Sequence, residues 1–107
     1  MLIRPRRNRK SAAIRSMVQE THLRADDFVV PLFLTQGEGI KQELASLPGV
    51  YKYSLDTLIK EAELLHKNGI PSVALFPIYP SSEKDDTGSL ALDPTGLIPQ
   101  GLALLKK

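Results

Sequence analysis

Residues 54–80 read SLDTLIKEAELLHKNGIPSVALFPIYP, and this stretch decides the fold. Its first half predicts an amphipathic helix capped by Ser54, because apolar side chains recur three and four positions apart. Asn68-Gly69 is a typical helix stop. The run Val73–Phe76 that follows has no polar alternation, as expected of a strand covered on both faces. The apolar helix positions are Leu55, Leu58, Ile59, Ala62 and Leu65.

A second apolar run, Phe28–Leu34, lies upstream of that helix. Strand, helix and strand in this order predict a βαβ unit with parallel strands. Pro31 has no backbone N–H to donate to a neighbouring strand, so it predicts a sheet edge or a bulge. Gln36-Gly37-Glu38-Gly39 ends the strand, and Leu47-Pro48-Gly49 predicts a tight turn. The segment before the helix is therefore expected to be an elaborated loop at the C-terminal end of the first strand.

The chain beyond the second strand is expected to be incomplete. Tyr79–Ala91 is polar and rich in turn residues, and Asp93-Pro94 predicts the start of another helix, in which Pro99 is tolerable only near the first turn. That helical pattern still continues at Lys107. Because two parallel strands cannot cover their own edges, we expect these residues to open a larger α/β fold or to assemble with something that completes it.

The charge is distributed unevenly along the chain. The 107 residues carry a net charge of +2, and five basic residues lie within the first ten. The remainder holds nine basic against twelve acidic residues, so a basic arm precedes a mildly acidic body. Residues 1–25 are interpreted as this arm with a short helix over Ser11–Glu20, and residues 26–107 as two βα units. The five basic residues are Arg4, Arg6, Arg7, Arg9 and Lys10.

Two interpretations of the arm are open. It could tether nucleic acid, or it could order only against another subunit. No aromatic residue is interleaved with the charges, which favours subunit contact. An Arg-rich start is also compatible with an organelle presequence, but Pro5 and the few apolar residues disfavour one. No membrane span or secretion signal is present, and the absence of cysteine excludes disulfides and thiolate metal sites, so we expect a cytoplasmic protein.

Few residues suggest chemistry by themselves. The two histidines, His22 and His66, are far apart in the chain and form no zinc pair. Gln36–Gly39 lacks the remaining positions of a dinucleotide or phosphate-binding loop. Lys84 lies between carboxylates, which favour its ammonium form over a nucleophilic amine, so we interpret it as a solvated loop lysine. The surrounding acidic residues lack the spacing of a calcium loop: Glu83, Asp85 and Asp86.

Several segments nevertheless occur in an order that resembles the porphobilinogen synthase family, also called 5-aminolevulinate dehydratase. The resemblance covers the whole chain but only about the first third of the family's length. Pro99 and Gly101 depart from it, since the family usually has better helix formers there. The matching segments are Arg4–Arg7, Pro31–Phe33, Ser46–Val50, Leu75-Phe76 and Lys84–Ser89.

The resemblance implies a TIM (β/α)8 barrel of which these residues form the arm and the first βα units. It implies homo-oligomerisation, octamer-like in the family, through an arm that contacts a neighbouring subunit. The family condenses two molecules of 5-aminolevulinate to porphobilinogen, in heme biosynthesis, through Schiff bases on two lysines of later strands. It uses zinc or magnesium, and the resemblance places neither these lysines nor the metal ligands within the 107 residues. The arm residues so implied are Arg4, Arg6, Arg7 and Arg9.

Phe76 is the one residue that the resemblance places beside a substrate pocket, and the alternative is a plain core phenylalanine. We predict that the 107 residues alone are catalytically silent. Two other functions compete with this hypothesis. One is a stand-alone βαβ module that completes its sheet by homo-oligomerising, and the other is a nucleic-acid binder that uses the basic arm.

Overall fold

The computed structural model describes residues 6–106, so Arg4 lies outside the described residues. Within them the chain forms four helices, four strands and three short 3-10 turns. The helices are α1 (Ala12–Met17), α2 (Leu55–Lys67), α3 (Ser89–Leu92) and α4 (Leu97–Leu105). The strands are β1 (Val29–Leu34), β2 (Lys41–Leu44), β3 (Leu47–Tyr53) and β4 (Ser72–Pro77). The 3-10 turns are Arg6–Arg9, Ala25–Asp27 and Ser81–Glu83.

The four strands form one mixed sheet in the order β2-β3-β1-β4. β1 pairs in parallel with β4 along its whole length, from Val29 opposite Ser72 to Leu34 opposite Pro77. Since α2 connects these two strands, the predicted βαβ unit is confirmed. β3 also runs parallel to β1, and β2 is antiparallel to β3.

The segment before α2, predicted as a loop, contains the β2–β3 hairpin. Leu47-Pro48-Gly49 is the start of β3 and not a tight turn. The chain reverses just before it, at Ala45-Ser46. The pairing is irregular between Glu43 and Leu44, and Gly49 has a φ of 82°. A strand that is bulged there tolerates a proline and a glycine, which otherwise indicate a turn. The sheet accordingly has four strands where the apolar runs predicted two.

Pro31 is accommodated because β3 reaches only the end of β1. Leu34 accepts a hydrogen bond from Ile78 on the β4 side, at 2.7 Å, whereas the Thr35 amide donates to Tyr53 on the β3 side, at 2.9 Å. Alternation along the strand therefore turns the backbone of Pro31 toward the β3 side. β3 pairs with β1 only at the last two residues of β1, so the missing N–H leaves no ladder bond broken.

Helix α2 begins and ends where its sequence predicts. Its C-terminus is a Schellman turn, in which the Gly69 amide donates to the His66 carbonyl at 2.9 Å and the Ile70 amide to the Leu65 carbonyl at 3.1 Å. Gly69 has a φ of 80°, which glycine adopts without strain. Ser54 holds the N-cap position, but its hydroxyl does not bond to the helix amides as predicted. The Ser54 hydroxyl instead accepts a hydrogen bond from the Ile40 amide of the preceding loop.

The hydrophobic core lies between the sheet and helices α2 and α4. Leu34 and Leu58 are both fully buried at its centre. Gly101 of α4 lies directly against them: a Cβ built there would be 3.0 Å from Leu34 Cδ1 and 3.1 Å from Leu75 Cδ1. This close approach explains why glycine stands inside a helix. The buried core residues are Leu32, Leu34, Tyr53, Leu58 and Leu97.

Two helix boundaries differ from the prediction. α4 begins at Leu97, because the Asp93 carboxylate accepts from the Thr95 amide at 2.8 Å and holds Asp93-Pro94 in a turn. Pro99 then lies in the first turn of α4, where a proline is tolerated. α1 is capped by Ser11, whose hydroxyl accepts from the Ile14 amide at 3.2 Å, but it ends at Met17. No helix between residues 6 and 106 is long and apolar enough to cross a bilayer.

Candidate functional site

The carboxyl ends of three parallel strands meet at one edge of the sheet. β1, β3 and β4 end there at Leu34, Tyr53 and Pro77. Ligands of parallel α/β sheets bind at this edge, because the loops that leave the strands converge on it. Polar groups and side chains that point away from the core at this edge are therefore the candidates for a binding site.

Phe33 and Phe76 form an aromatic pair at this edge. They are opposite each other in the β1–β4 register, and their ring centroids are 5.7 Å apart with an interplanar angle of 32°. The neighbouring residues Leu34 and Leu75 face α4, so alternation turns both rings to the other side of the sheet. Phe76 is 48% exposed and lies outside the buried core. That it borders a substrate pocket stays a prediction.

This side of the sheet, turned away from α2 and α4, is called the open face below. It carries alternate residues of each strand, and these are largely apolar. Pro31 is exposed, and Phe33 and Ala74 are half-buried. The open-face residues used below are Pro31, Phe33, Lys52, Ala74 and Phe76.

A recess of about 290 Å³ adjoins the end of β4. Tyr79 lies in its wall, and the Tyr79 hydroxyl accepts a long hydrogen bond of 3.4 Å from the Leu97 amide. The recess thus joins the loop after β4 to the start of α4. Its lining residues are Pro77, Tyr79, Lys84, Asp85, Gly88, Leu90 and Ala91.

Asp85 stabilises the loop that forms this recess. Hydrogen bonds from the Ser89 hydroxyl and the Ser89 amide, the latter at 2.9 Å, lower the pKa of Asp85 to about 2. The Asp85 carboxylate therefore accepts hydrogen bonds from groups of the same loop. Glu83, Lys84 and Asp86 beside it are exposed.

No metal centre can be assembled from the described part of the chain. Residues 6–106 contain no group of three or more histidine, cysteine, aspartate or glutamate side chains placed to hold an ion. His66 lies in the last turn of α2, where the helix dipole favours positive charge, as predicted. His22 is exposed between α1 and the turn at Ala25–Asp27.

A second polar cluster fixes the loop that follows β1. Ser54, which is fully buried, accepts from the Ile40 amide at 2.9 Å and donates to Asp56. The Asp56 carboxylate also accepts from the Gly39 amide at 2.9 Å. Hydrogen bonds from the Ser54 hydroxyl, then from the Gly39 amide, lower the pKa of Asp56. The start of α2 is thereby connected to the loop that follows β1, a link that no sequence pattern predicted.

Two lysines of the hairpin face opposite sides of the sheet. Lys41 points to the helix side, where its ammonium lies 2.8 Å from Glu61 and 5.4 Å from the centre of the Tyr53 ring. The hydrogen bond to Glu61 raises the pKa of Lys41. Lys52 is opposite Phe33 in the register and so points to the open face. Sequence reasoning missed Lys52, because its side of the sheet depends on the β3 register.

The basic arm is exposed where the structure describes it. Arg6, Arg7 and Arg9 form a 3-10 turn without buried residues, and the Arg15 guanidinium donates to the Arg9 carbonyl at 3.2 Å. Met17 is 85% exposed. The arm therefore presents both charge and apolar surface to its surroundings.

Comparison with known proteins gives consistent matches along the chain. A sequence model of the delta-aminolevulinic acid dehydratase family matches residues 2–107. The delta-aminolevulinic acid dehydratase of Chlamydia pneumoniae is 50% identical over 95 residues, covering 89% of this chain and 29% of that protein. That of Bradyrhizobium diazoefficiens is 44% identical over 107 residues, covering all of this chain and 30% of that protein. The chain thus spans about 30% of the length of these relatives.

A solved structure has the same arrangement of elements. It is the delta-aminolevulinic acid dehydratase of Toxoplasma gondii ME49 in complex with the reaction product porphobilinogen. The TM-score is 0.87 at 33% sequence identity, and the match covers 99% of this chain and 30% of the other.

Proposed function

The chain belongs to the delta-aminolevulinic acid dehydratase family, and on that premise we propose that it forms the N-terminal part of a porphobilinogen synthase. This lyase condenses two molecules of 5-aminolevulinate to porphobilinogen, on the path to heme. The observation that carries the proposal is the family match over residues 2–107, supported by a TM-score of 0.87 to a structure with porphobilinogen bound.

In this proposal β1 and β4 are neighbouring strands of a TIM barrel, and the open face is part of the barrel interior. Two observations support it. The strands pair in parallel along their whole length, as barrel strands do, and α2 and α4 cover only one side of the sheet. An interior of this kind is filled by side chains from the remaining strands, which would cover the apolar residues of the open face.

Phe76 would then border the substrate pocket. It lies one residue before the end of β4, at the edge where barrel enzymes bind their substrates, and its ring is half exposed. Phe33 supports it from the neighbouring strand at 5.7 Å. In the complete enzyme this pair would limit the pocket and exclude water from one side of it.

The covalent chemistry is assigned to residues beyond this segment. Lys84 is an exposed loop residue next to Asp85. The described residues do not fit a zinc or magnesium site either, so we derive no catalytic step through a metal. The 107 residues alone would be inactive, and the complete enzyme would be cytoplasmic with its zinc or magnesium held by other residues.

The arm would contact a neighbouring subunit of a homo-oligomer through Arg4, Arg6, Arg7 and Arg9. The exposed charges of Arg6, Arg7 and Arg9 and the exposed Met17 support this assignment, since such a surface is stabilised by a partner that covers it. The family membership favours this role over a nucleic-acid tether and over a stand-alone βαβ module. The division into residues 1–25 and 26–107 stays part of the proposal.

The proposal is tested with a chimera in which residues 1–107 replace the matching segment of the Bradyrhizobium diazoefficiens enzyme. We expect the chimera to convert 5-aminolevulinate to porphobilinogen at a rate within about tenfold of the parent enzyme, that is within about 1.4 kcal/mol of barrier height. A folded chimera that binds 5-aminolevulinate no better than an unrelated protein would refute the proposal.

A second chimera separates failure of assembly from failure of function. It carries residues 26–107 and keeps the relative's own arm, so any mismatch between arm and neighbouring subunit is removed. If only this second chimera is active, the barrel assignment holds, and the first chimera failed because residues 1–25 do not fit the relative's neighbouring subunit.

A further inference from the structure

The loop that connects β1 to β2, residues 35–40, is held at both ends. It leaves the sheet at the edge where the parallel strands end. At its first residue the Thr35 amide donates to the Tyr53 carbonyl at 2.9 Å. At its last residue the Ile40 amide donates to the Ser54 hydroxyl at 2.9 Å, and the Ile40 carbonyl accepts from the Ser54 amide at 3.0 Å. The loop is therefore bonded both to β3 and to the start of α2.

Asp56, in the first turn of α2, binds the loop at a further point. Its carboxylate accepts from the Gly39 amide, with oxygens at 2.9 Å and 3.2 Å from the nitrogen. The lowered pKa of Asp56 keeps the carboxylate ionised near neutral pH, which makes this hydrogen bond charge-assisted. The Thr57 hydroxyl donates to the Ile40 carbonyl beside it. One helical turn thus holds two successive residues of the loop.

The tip of the loop, Gln36–Glu38, is exposed, yet it is folded compactly. Gly37 has a φ of 115°, and a Cβ built there would be 2.6 Å from Ile40 Cδ1. The Ile40 side chain therefore folds back over Gly37, in space that only a glycine leaves free. The loop forms a tight turn with its attachments on either side of the tip.

The position of the loop suggests what this attachment is for. Thr35 follows Phe33 by two residues, so the loop begins directly beside the pair of Phe33 and Phe76. We propose that Asp56 is a positioning residue, which holds residues 36–39 as a preformed rim of the substrate pocket. A rim that is fixed before the substrate arrives saves the entropy cost of ordering it on binding. This rests on the proposed function and extends it, since it gives a residue of α2 a share in substrate affinity without a contact to substrate.

The first test measures hydrogen exchange in the chimera, on peptides that cover residues 35–40. The ligand is levulinate, the substrate without its amino group. We expect levulinate to slow exchange in the unmodified protein, because the rim borders the occupied pocket. Asp56→Ala should speed exchange without ligand and weaken levulinate binding about tenfold, since the rim must then be ordered on binding. Asp56→Asn keeps an acceptor oxygen for Gly39 and should retain most of the affinity.

Asp27→Ala is the matched control. The Asp27 carboxylate accepts from the Arg24 amide at 2.8 Å, in the turn before β1 and so at the opposite edge of the sheet. Its removal deletes a comparable hydrogen bond away from the pocket, and we expect unchanged levulinate affinity. In steady-state kinetics Asp56→Ala should raise KM with kcat unchanged, the result that loss of uniform binding predicts.

A purely structural Asp56 predicts a different result. Asp56→Ala would then lower the melting temperature as Asp27→Ala does, with levulinate affinity and KM unchanged in both variants. That outcome, or exchange in residues 35–40 that levulinate does not slow, overturns the assignment.

The two proposals fail separately. A chimera in which levulinate slows exchange of the loop, with affinity that depends on Asp56, but which forms no porphobilinogen contradicts the proposed activity alone. A chimera that forms porphobilinogen with an unchanged KM in Asp56→Ala contradicts the Asp56 assignment alone. If levulinate does not bind and no porphobilinogen forms, both are contradicted.

Discussion

Phe33 and Phe76 lie opposite each other on adjacent parallel strands, with ring centroids 5.7 Å apart, on the side of the sheet that no described helix covers. An aromatic pair contributes about 0.5–1.5 kcal/mol beyond its buried area. Here the pair also holds Phe76 in a fixed orientation at the end of β4. The register of β1 and β4 thus decides which side chain lies beside Phe76 at the proposed pocket.

Replacement of Phe76 by alanine tests that connection. In the chimera we expect Phe76→Ala to lower kcat/KM by about tenfold, because removal of the ring deletes an apolar contact with substrate. Steady-state kinetics measures it. Phe28→Ala is the matched control, since Phe28 is partly exposed at the opposite end of β1. Unchanged kinetics with a lowered melting temperature would identify Phe76 as a packing residue only.

Replacement of Ser54 by alanine tests the link between α2 and the loop after β1. The partly buried Ile40 amide would lose its acceptor and Asp56 a donor, so we expect a loss of about 1–3 kcal/mol of unfolding free energy. Urea denaturation measures it, with the exposed Ser16→Ala of α1 as control. Equal stability of the two variants would mean that water replaces the hydroxyl without cost.

Replacement of Gly101 by valine tests the close approach of α4 to the sheet. A Cβ at this position would lie 3.0 Å from Leu34 Cδ1 and 3.1 Å from Leu75 Cδ1, closer than ordinary van der Waals contact, and overpacking of this kind costs about 1–3 kcal/mol. Ala103→Val, at an exposed position of the same helix, is the control for a valine in α4 and costs about 0.5 kcal/mol in helix propensity relative to alanine. Valine is a better helix former than glycine, so propensity alone would stabilise Gly101→Val. Similar urea midpoints for the two variants would show that α4 can move away from the sheet.

The lowered pKa of Asp85 leads us to expect that the chain loses stability in acid. Because its pKa is lower in the folded chain than the ordinary 3.8, its contribution to stability is complete above that value and is lost as the pH falls toward about 2. Urea midpoints measured across this range should decline less steeply in Asp85→Asn than in the unmodified chain. Asp86→Asn is the neighbouring control. Identical pH profiles for both variants would contradict the Ser89 hydrogen bonds.

The sequence predicted the parts of this fold that rest on local periodicity. The apolar stripe of α2, its Asn68-Gly69 stop and the run Val73–Phe76 each indicate one structure, and tertiary packing agrees with all of them. The parallel pairing of β1 and β4 then follows from the helix between them.

The parts that were missed depend on contacts between distant residues. Pro48 and Gly49 usually indicate turns, so the sequence predicts a loop where the structure has the β2–β3 hairpin. Only the irregular pairing between Glu43 and Leu44 makes these two residues acceptable in a strand. Gly101 was counted against the last helix, although its lack of a side chain is what admits Leu34. Lys52 was overlooked because a one-residue shift of β3 would turn it to the other face.

The most direct measurement is a crystal structure of the chimera with porphobilinogen bound. The account predicts that further parallel strands continue from the free side of β4, and that the product lies at the carboxyl ends of β1 and β4, within about 4 Å of the Phe76 ring. A structure in which β4 stays at the edge of the sheet, or in which the product binds away from the open face, would contradict it.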